Sequence, residues 1–470
     1  MSKTRLEHDL LGERQVPAYR YYGIQTLRAL ENYAFTGIPI SHYPAFIESL
    51  AQIKKAAALT NQELGLLENP LAEAIAQACD QVIDGRCLQE FAVDVIQGGA
   101  GTSTNMNANE VIANLALELL GYPKGRYDIV HPLTHVNMSQ STNDAYPSAL
   151  RLTLSKYLDV LVQKMGVLQG ALSAKAVEFA DVIKMGRTQL QDAVPMTLGQ
   201  EFEAYAIMVG EDITRITEAQ ALIHEINMGA TAIGTGLNAH PDYARLVTEK
   251  VRQISGVKVV GAANLVEATQ DAGAYVQLSG VLKRVAVKLS KICNDLRLMS
   301  SGPRTGLGEI NLPPMAPGSS IMPGKVNPVI PEVVNQVAFE VIGNDVTVTM
   351  AAHAGQLELN VMEPVIAFNL FRSIDMLGSA CQTLAERCVV GITANREHCR
   401  RQVENSIGLV TALNPYLGYE KSTEIAKEAL ETERSVYEIV LEKGYLSKSE
   451  LDDILSPENM TRPRYIHPGK

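Results

Sequence analysis

The sequence contains few cysteines, and their spacing does not match that of a metal site. Its six cysteines form no CxxC pair and have no histidines at zinc-finger distances; they stand at positions 79, 87, 293, 381, 388 and 399. Scattered cysteines of this kind are typical of reduced thiols in the core of a cytosolic protein. The chain also begins without the apolar core of a signal peptide. We therefore expect a cytoplasmic protein.

An excess of positive charge is also missing. The formal net charge is −11 at pH 7, whereas nucleic acids and anionic membranes are bound by clustered lysine and arginine. No apolar run approaches the length of a membrane span. We therefore expect neither nucleic acid nor membrane among the partners. A small anionic substrate remains compatible with this charge, because Lys325, Arg187 and helix N-termini could supply local positive potential.

Sequence motifs for cofactors and metals are absent as well. No glycine-rich pattern of the Rossmann or P-loop type precedes a helical segment. No group of histidine, aspartate and glutamate has the spacing of metal ligands, and His131 and His135 are better explained as structural residues. The sequence therefore predicts no organic cofactor and no metal site.

What the chain does contain is a series of long helical patterns. Apolar residues recur every three or four positions between 152 and 172, and similar patterns cover about 199–228, 264–300, 331–354 and 364–390. Helices of this length that are apolar on more than one side must bury that surface against several neighbours. This predicts a mainly all-α fold with a central long-helix bundle, whose core is either shared between subunits or closed within a monomer.

The pattern changes along the chain in a way that predicts three domains. Residues 1–140 alternate helical spacing with loops, which indicates a mostly helical N-terminal domain. Residues 141–396 carry the long helices. Residues 397–470 are predicted to form a small helical C-terminal domain.

One polar loop, residues 317–328, separates two helical regions. It contains the run Gly318-Ser319-Ser320-Ile321-Met322-Pro323-Gly324-Lys325-Val326-Asn327-Pro328. Its prolines and glycines are incompatible with a regular helix or the interior of a strand. Its hydroxyls, its lysine and its backbone N–H groups could close over an anion. An ordinary connector with a solvated lysine is the alternative.

Three further stretches are dense in neutral hydrogen-bond donors: residues 98–110, 139–144 and 186–195. Helix capping would explain one or two residues of the first stretch, but not three asparagines and three hydroxyls together, which suit a carboxylate. The second stretch begins the first long helix, where capping and anion binding can both occur. The third could be a polar loop with Arg187 paired to Asp192.

Together these stretches resemble the signature sequences of the fumarase/aspartase superfamily, and the resemblance covers essentially the whole chain. Members of this superfamily eliminate ammonia, water or a larger amine to release fumarate. The resemblance implies a three-domain, mainly α-helical fold. It also implies a homotetramer in which three subunits contribute to each active site.

Within the superfamily, the chain is most similar to the members that act on L-aspartate, in residues 7–12, 327–332 and 355–364. Fumarases typically read Thr-Gln-Cys-Glu where this chain has Val329-Ile330-Pro331-Glu332. The implied reaction is the reversible elimination of ammonia from L-aspartate to give fumarate, through an aci-carboxylate intermediate. A class II fumarate hydratase, which converts L-malate to fumarate and water, is the alternative. A non-catalytic structural member is a more distant one.

The resemblance also implies a role for each site residue, with Ser319 as the general base. The other residues are grouped by the part of the substrate that they contact: Thr102, Ser141, Thr142 and Ser320 at the aci-carboxylate; Thr188, Lys325 and Asn327 at the α-carboxylate; Asn143 and Gln189 at the departing amine; and Gly318, Met322, Pro323 and Gly324 in the loop itself. Members commonly have histidine where this chain has Gln189. An amide cannot carry a proton, so position 189 cannot provide the general base.

Overall fold

The structure is a computed structural model that describes residues 3–463. Its α-helices, in chain order, are α1 (Ile24–Asn32), α2 (Pro44–Glu63), α3 (Asn69–Ile83), α4 (Thr102–Leu119), α5 (Thr142–Glu178), α6 (Leu198–Ile223), α7 (Tyr243–Ser255), α8 (Leu265–Gln270), α9 (Gly273–Met299), α10 (Val329–His353), α11 (Glu363–Arg387), α12 (Arg396–Glu404), α13 (Val410–Leu417), α14 (Tyr419–Thr432), α15 (Val436–Glu442), α16 (Lys448–Ile454) and α17 (Pro457–Met460). The predicted mainly α-helical fold is confirmed.

The β-strands within the same residues are short and occur in pairs. They are β1 (Thr4–Asp9), β2 (Gly12–Pro17), β3 (Ile183–Thr188), β4 (Gln191–Thr197), β5 (Glu225–Ile226), β6 (Val260–Gly261), β7 (Ile310–Asn311) and β8 (Thr393–Ala394). The pairs are β1 with β2, β3 with β4, β5 with β6, and β7 with β8; all are antiparallel except the parallel pair β5 and β6.

Four of the five longest helices, α5, α6, α10 and α11, match the predicted patterns closely. Helix α5 has 37 residues, and Leu152, Leu158 and Leu168 on it are fully buried. The pattern at 264–300 is an exception, because it divides into α8 and α9. Asp271 adopts an extended backbone at the end of α8, and its carboxylate accepts the Gly273 N–H at 2.9 Å, so a new helix starts there. No helix within residues 3–463 is long and apolar enough to span a membrane.

The chain forms two compact units, each assembled from three segments. The first unit contains the described residues up to Gln163, then Thr214–Ala286 and Phe339–Gly378. The second contains Lys164–Ile213, Val287–Ala338 and the described residues from Ser379 onward. The predicted domain boundaries at 140 and 396 stay a prediction, and residues 464–470 of the predicted C-terminal domain lie outside the described residues.

In the first unit, an aromatic cluster fixes the start of α5. The Phe371 ring lies 5.5 Å from the Phe46 ring, which in turn lies 5.3 Å from Tyr146 in the second turn of α5. Gly101, just before α4, has φ +90°, and a Cβ atom there would lie 2.4 Å from Cδ2 of Tyr146. Only glycine fits at this position, and it lets the start of α4 approach α5 closely.

In the second unit, β3 and β4 form a hairpin that packs on the C-terminal helices. Ile183 and Met185 of β3 join a buried apolar cluster with Leu413, Ile425 and Ile439. The two turn residues of this hairpin, Gln189 and Leu190, have φ values of 55° and 62°. Residues 186–195, for which the sequence analysis considered a polar loop, therefore belong to a hairpin with a tight two-residue turn.

Candidate active site

A cavity of about 500 Å³ in the first unit brings together three of the predicted substrate-binding residues. Thr102, Ser141 and Thr142 all line it. They come from the first residue of α4 and from the start of α5, two segments that the Gly101 contact holds close together. The hydroxyl groups of these residues are neutral donors, which suit a bound carboxylate.

The start of α4 presents Thr102 without a side-chain cap on the helix. Gly101 is the N-cap residue, and it has no side chain to occupy the N–H groups of the first turn. The Thr102 hydroxyl donates to the Gly99 carbonyl at 2.7 Å. A hydrogen bond from this hydroxyl to a substrate therefore requires the hydroxyl hydrogen to rotate away from Gly99.

The start of α5 is held in place by a buried carboxylate, Asp144. One Asp144 oxygen accepts the Ser141 N–H at 2.8 Å, and the other accepts the N–H groups of Gly229 at 3.2 Å and Thr231 at 3.0 Å. Burial raises the pKa of Asp144 to about 6, against the opposing effect of these N–H groups. Asp144 thus joins the start of α5 to the segment that follows β5.

Asn143 lies beside this cavity and is hydrogen-bonded to one of its lining residues, Ala232. Its amide nitrogen donates to the carbonyl oxygen of Ala232, which lines the cavity, at 2.7 Å. The amide oxygen of Asn143 therefore remains as an acceptor. An acceptor at this position suits a protonated amine.

Sequence reasoning missed the segment 229–238, which completes the wall of the cavity. Thr231 and Asn238 line the cavity, and both have left-handed backbones, with φ values of 55° and 67°. A β-branched residue in this region is strained, and such strain is often found at functional sites. Three glycines at 229, 234 and 236, next to polar residues, were the available sequence signal.

A buried lysine beneath the cavity was also missed. Lys54 of α2 is 0% exposed, and its Nζ donates to three side-chain amide oxygens: Asn105 at 2.6 Å, Asn137 at 2.9 Å and Gln140 at 2.9 Å. All three amides line the cavity. Burial lowers the pKa of Lys54 to about 7, while the Asp144 charge opposes that shift.

The dense asparagines of residues 98–110 are only partly involved. Asn105 lines the cavity, but Asn107 and Asn109 are fully buried in α4. The Asn107 amide donates to the Glu90 carbonyl at 2.9 Å, and the Asn109 amide donates to the Asn137 side chain at 3.2 Å. Of the three asparagines that the sequence analysis assigned to a carboxylate site, one therefore lines the cavity and two serve packing.

In the second unit, the predicted signature loop closes on itself. The Gly318 N–H donates to the Lys325 carbonyl at 2.8 Å, and the Asn327 amide donates to the Gly318 carbonyl at 2.7 Å. A Cβ atom on Gly318 would lie 2.5 Å from the Lys325 carbonyl oxygen, so the closure requires glycine. At the tip, Met322 accepts the Lys325 N–H at 3.3 Å, and Gly324 has φ +81° after Pro323.

Ser319 receives two backbone hydrogen bonds inside this loop. Its Oγ accepts the Ile321 N–H at 3.2 Å and the Met322 N–H at 2.9 Å. Two donors directed at one hydroxyl oxygen favour negative charge on it. Ser320 and Lys325 are exposed on the same loop.

The other two predicted residues of this unit, Thr188 and Gln189, lie exposed at the tip of the hairpin. A buried ion triad holds its base. Glu309 is 0% exposed; its oxygens lie 2.6 Å from Nη1 of Arg187 and 3.0 Å from Nζ of Lys184. The predicted pair of Arg187 with Asp192 is present at 3.9 Å but is the weaker contact.

Among residues 3–463, no group of three or more His, Cys, Asp or Glu is placed to hold a metal ion.

Comparisons with known proteins agree over nearly the full length. A lyase family model matches residues 12–343, and a fumarase C C-terminus model matches residues 409–462. Aspartate ammonia-lyase from Helicobacter pylori is 62% identical over 459 residues, 98% of each chain.

Solved structures show the same similarity. The fumarate lyase:delta crystallin from Brucella melitensis bound to cobalt is 56% identical, with a TM-score of 0.96 over 98% of this chain and 100% of that one. The class II fumarase from Schistosoma mansoni is 37% identical, with a TM-score of 0.95 over 98% of this chain and 100% of that one.

Proposed function

Because this chain belongs to the lyase family of the fumarase/aspartase superfamily, we propose that it is an aspartate ammonia-lyase. It would eliminate ammonia from L-aspartate, reversibly, to give fumarate. The observation that carries this proposal is the 62% identity to an aspartate ammonia-lyase along 98% of both chains. The similarity to the class II fumarase is lower, at 37% identity.

The chemistry of this reaction explains the donor-rich cavity. Removing a proton from the carbon next to the β-carboxylate places a second negative charge on that carboxylate. Such an intermediate forms only if donors are in place before the reaction. The hydroxyl groups of Ser141 and Thr142 would hold this dianionic aci-carboxylate, together with Ser320 of the signature loop. Thr102 would join them once its hydroxyl hydrogen turns from the Gly99 carbonyl to the bound substrate.

Ser319 would remove the proton. A serine hydroxyl is a weak base, so it can act only if its alkoxide is stabilised. The two backbone N–H groups that already point at Oγ, at 3.2 and 2.9 Å, support this role.

Two further groups of residues would orient the substrate. Thr188, Lys325 and Asn327 would bind the α-carboxylate; one hydrogen of the Asn327 amide is engaged by Gly318, and the other is available to a substrate. The amide oxygen of Asn143 would accept from the departing amine, and Gln189 would also contact that amine. Holding both ends of the substrate fixes the geometry for proton removal.

We also propose that the protein works as a homotetramer in the cytoplasm, with three subunits contributing to each active site. An apolar stripe on α10 supports self-association: Phe339, Val346 and Met350 are 63%, 56% and 68% exposed on one helical face. A second copy of the chain would cover this stripe. Six free, buried cysteines agree with a reducing compartment.

The test is the ultraviolet absorbance of fumarate, measured with purified protein and either L-aspartate or L-malate. We expect fumarate from L-aspartate alone. Fumarate from L-malate alone would make the protein a fumarate hydratase, and fumarate from neither would favour a larger succinyl substrate or a structural role.

A further inference from the structure

Lys54 is buried directly beneath the cavity, and its surroundings are unusual for a lysine. It is 0% exposed, and its three N–H donors are matched by three neutral amide oxygens, those of Asn105, Asn137 and Gln140. A buried ammonium group is costly unless hydrogen bonds satisfy it. Packing alone does not need a charged group at this position, where an apolar side chain would fill the same space.

This arrangement determines which way the Asn105 amide faces. An ammonium group can only donate, so the oxygen of Asn105 must point to Lys54 and its NH2 group must point away. That NH2 group donates to the Thr142 hydroxyl oxygen at 3.2 Å and to the Asn137 amide oxygen at 3.1 Å. Asn137 adds to this constraint, because its amide oxygen accepts from Asn105, from the Asn109 amide at 3.2 Å and from Lys54. Without Lys54, Asn105 and Asn137 both lose their charged donor; the two amides could then turn over together, and Asn105 would present its oxygen to Thr142.

The orientation of Asn105 in turn determines what Thr142 can offer a substrate. When its oxygen accepts from Asn105, the hydroxyl hydrogen of Thr142 is directed elsewhere, and Thr142 lines the cavity. If the amide were reversed, the hydroxyl would donate to Asn105 and present only lone pairs to the cavity. An anion would then meet an acceptor instead of a donor.

We propose that Lys54 is a positioning residue for the elimination: through Asn105 it fixes the Thr142 hydroxyl as a hydrogen-bond donor to the aci-carboxylate. This inference rests on the proposed function, since it assigns a source to the orientation of one donor in that reaction. The donor is oriented before the substrate arrives, so the reaction does not have to turn it.

A double-mutant cycle of Lys54→Met with Thr142→Val tests this role. Methionine has a similar length but no donor, and valine keeps the shape of threonine without its hydroxyl. Because removing one donor to a developing oxyanion costs roughly 100-fold or more in kcat, we expect such a loss from Thr142→Val and a comparable one from Lys54→Met. In both variants kcat should fall by a larger factor than KM rises.

The double variant should be no more than about threefold less active than Thr142→Val alone, because both changes remove the same interaction. Losses that multiply would overturn the proposal, as would a Lys54→Met variant with unchanged kcat. The circular dichroism spectrum and the elution volume of each variant show that the comparison is made on folded, assembled protein.

Asn105→Asp provides a second test that does not leave Lys54 unpaired. The added negative charge lies against the Lys54 ammonium group, and both carboxylate oxygens now accept. One of them replaces the NH2 group that faces the Asn137 amide oxygen at 3.1 Å, so circular dichroism and elution volume are measured for this variant too. The Thr142 hydroxyl must then donate to Asp at this position and is lost to the substrate. We expect kcat to fall roughly 100-fold, with little further loss on adding Thr142→Val; full activity, or multiplying losses, would overturn the proposal.

Wild-type protein assayed in parallel separates the two possible failures. A wild type that is inactive on L-aspartate overturns the proposed function and the role of Lys54 together. An active wild type with multiplying losses in the cycles overturns only the role of Lys54.

Discussion

Replacing Glu309 should destabilise the second unit far more than its single carboxylate suggests. Glu309 is fully buried between Lys184 and Arg187, whose side chains are only 6% and 16% exposed. The substitution Glu309→Ala removes the shared anion and leaves two cations with little access to water. Breaking a buried ion pair from one side costs about 3–5 kcal/mol.

The remaining partners keep this cost from rising further. Lys184 retains Glu201 at 3.8 Å, and Arg187 retains Asp192 at 3.9 Å. Both distances are long, so we expect a loss of at least about 3 kcal/mol in the free energy of unfolding. Glu309→Gln should lose less than Glu309→Ala, because its amide oxygen can still accept from Arg187. Part of the loss remains, because its NH2 group and the Lys184 ammonium group are both donors and cannot bond to each other.

The assay is urea unfolding followed by far-ultraviolet circular dichroism, since the chain has no tryptophan for fluorescence. All variants are compared at one protein concentration, because assembly contributes to stability. Asp181→Ala is the matched control: it breaks the pair with Arg396, also in the second unit, whose side chains are 49% and 76% exposed. Exposed pairs contribute little. Equal destabilisation by Glu309→Ala and Asp181→Ala would refute the reasoning.

Three further substitutions test the proposed roles. Ser319→Ala should lower kcat about 1000-fold or more while fumarate still binds, because the base is lost and the binding groups remain; unchanged turnover would remove Ser319 from this role. Lys325→Ala should raise the KM for L-aspartate about tenfold or more, because a charge-assisted hydrogen bond to the substrate is lost. Lys427→Ala on α14 is the control and should leave KM unchanged. Equal KM values for the two variants would contradict the role of Lys325. Phe339→Glu should dissociate the assembly, as measured by light scattering, and abolish activity. Leu430→Glu, at a site on α14 that is 71% exposed, should leave both the assembly and the activity intact. A stable, active Phe339→Glu assembly would argue against an interface on α10.

Helices were the most predictable part of the fold. Long apolar repeats at helical spacing indicated α5, α6, α10 and α11, because burial of one face dominates their stability. The breaks were harder to predict. In the predicted C-terminal domain, residues 422–446 have the charged pattern of a single helix. The structure divides this stretch into α14 and α15, since Glu433 takes a left-handed backbone with φ 57° and Ser435 begins α15 with a capping box. Such a break depends on one or two backbone angles.

The candidate site was predictable where several polar residues stand together at the start of a helix. The hydroxyls of Thr102, Ser141 and Thr142 were found as donors, and they do line one cavity. Lys54 was missed because a lysine within a helical pattern is usually solvated, and its burial depends on partners 51 or more residues away. The hairpin of β3 and β4 was missed because its turn, Gln189-Leu190, lacks the usual asparagine and glycine.

The closure of the signature loop has a consequence for how much binding energy a substrate must supply. Ordering a flexible backbone costs about 1–2 kcal/mol per residue, which a disordered lid would have to recover from binding energy at every turnover. The bond from Gly318 to Lys325, with the Asn327 bond beside it, already holds Ser319 and Lys325 in one ring. Because this loop already has its shape before a substrate binds, less of the binding energy of its contacts is spent on ordering it.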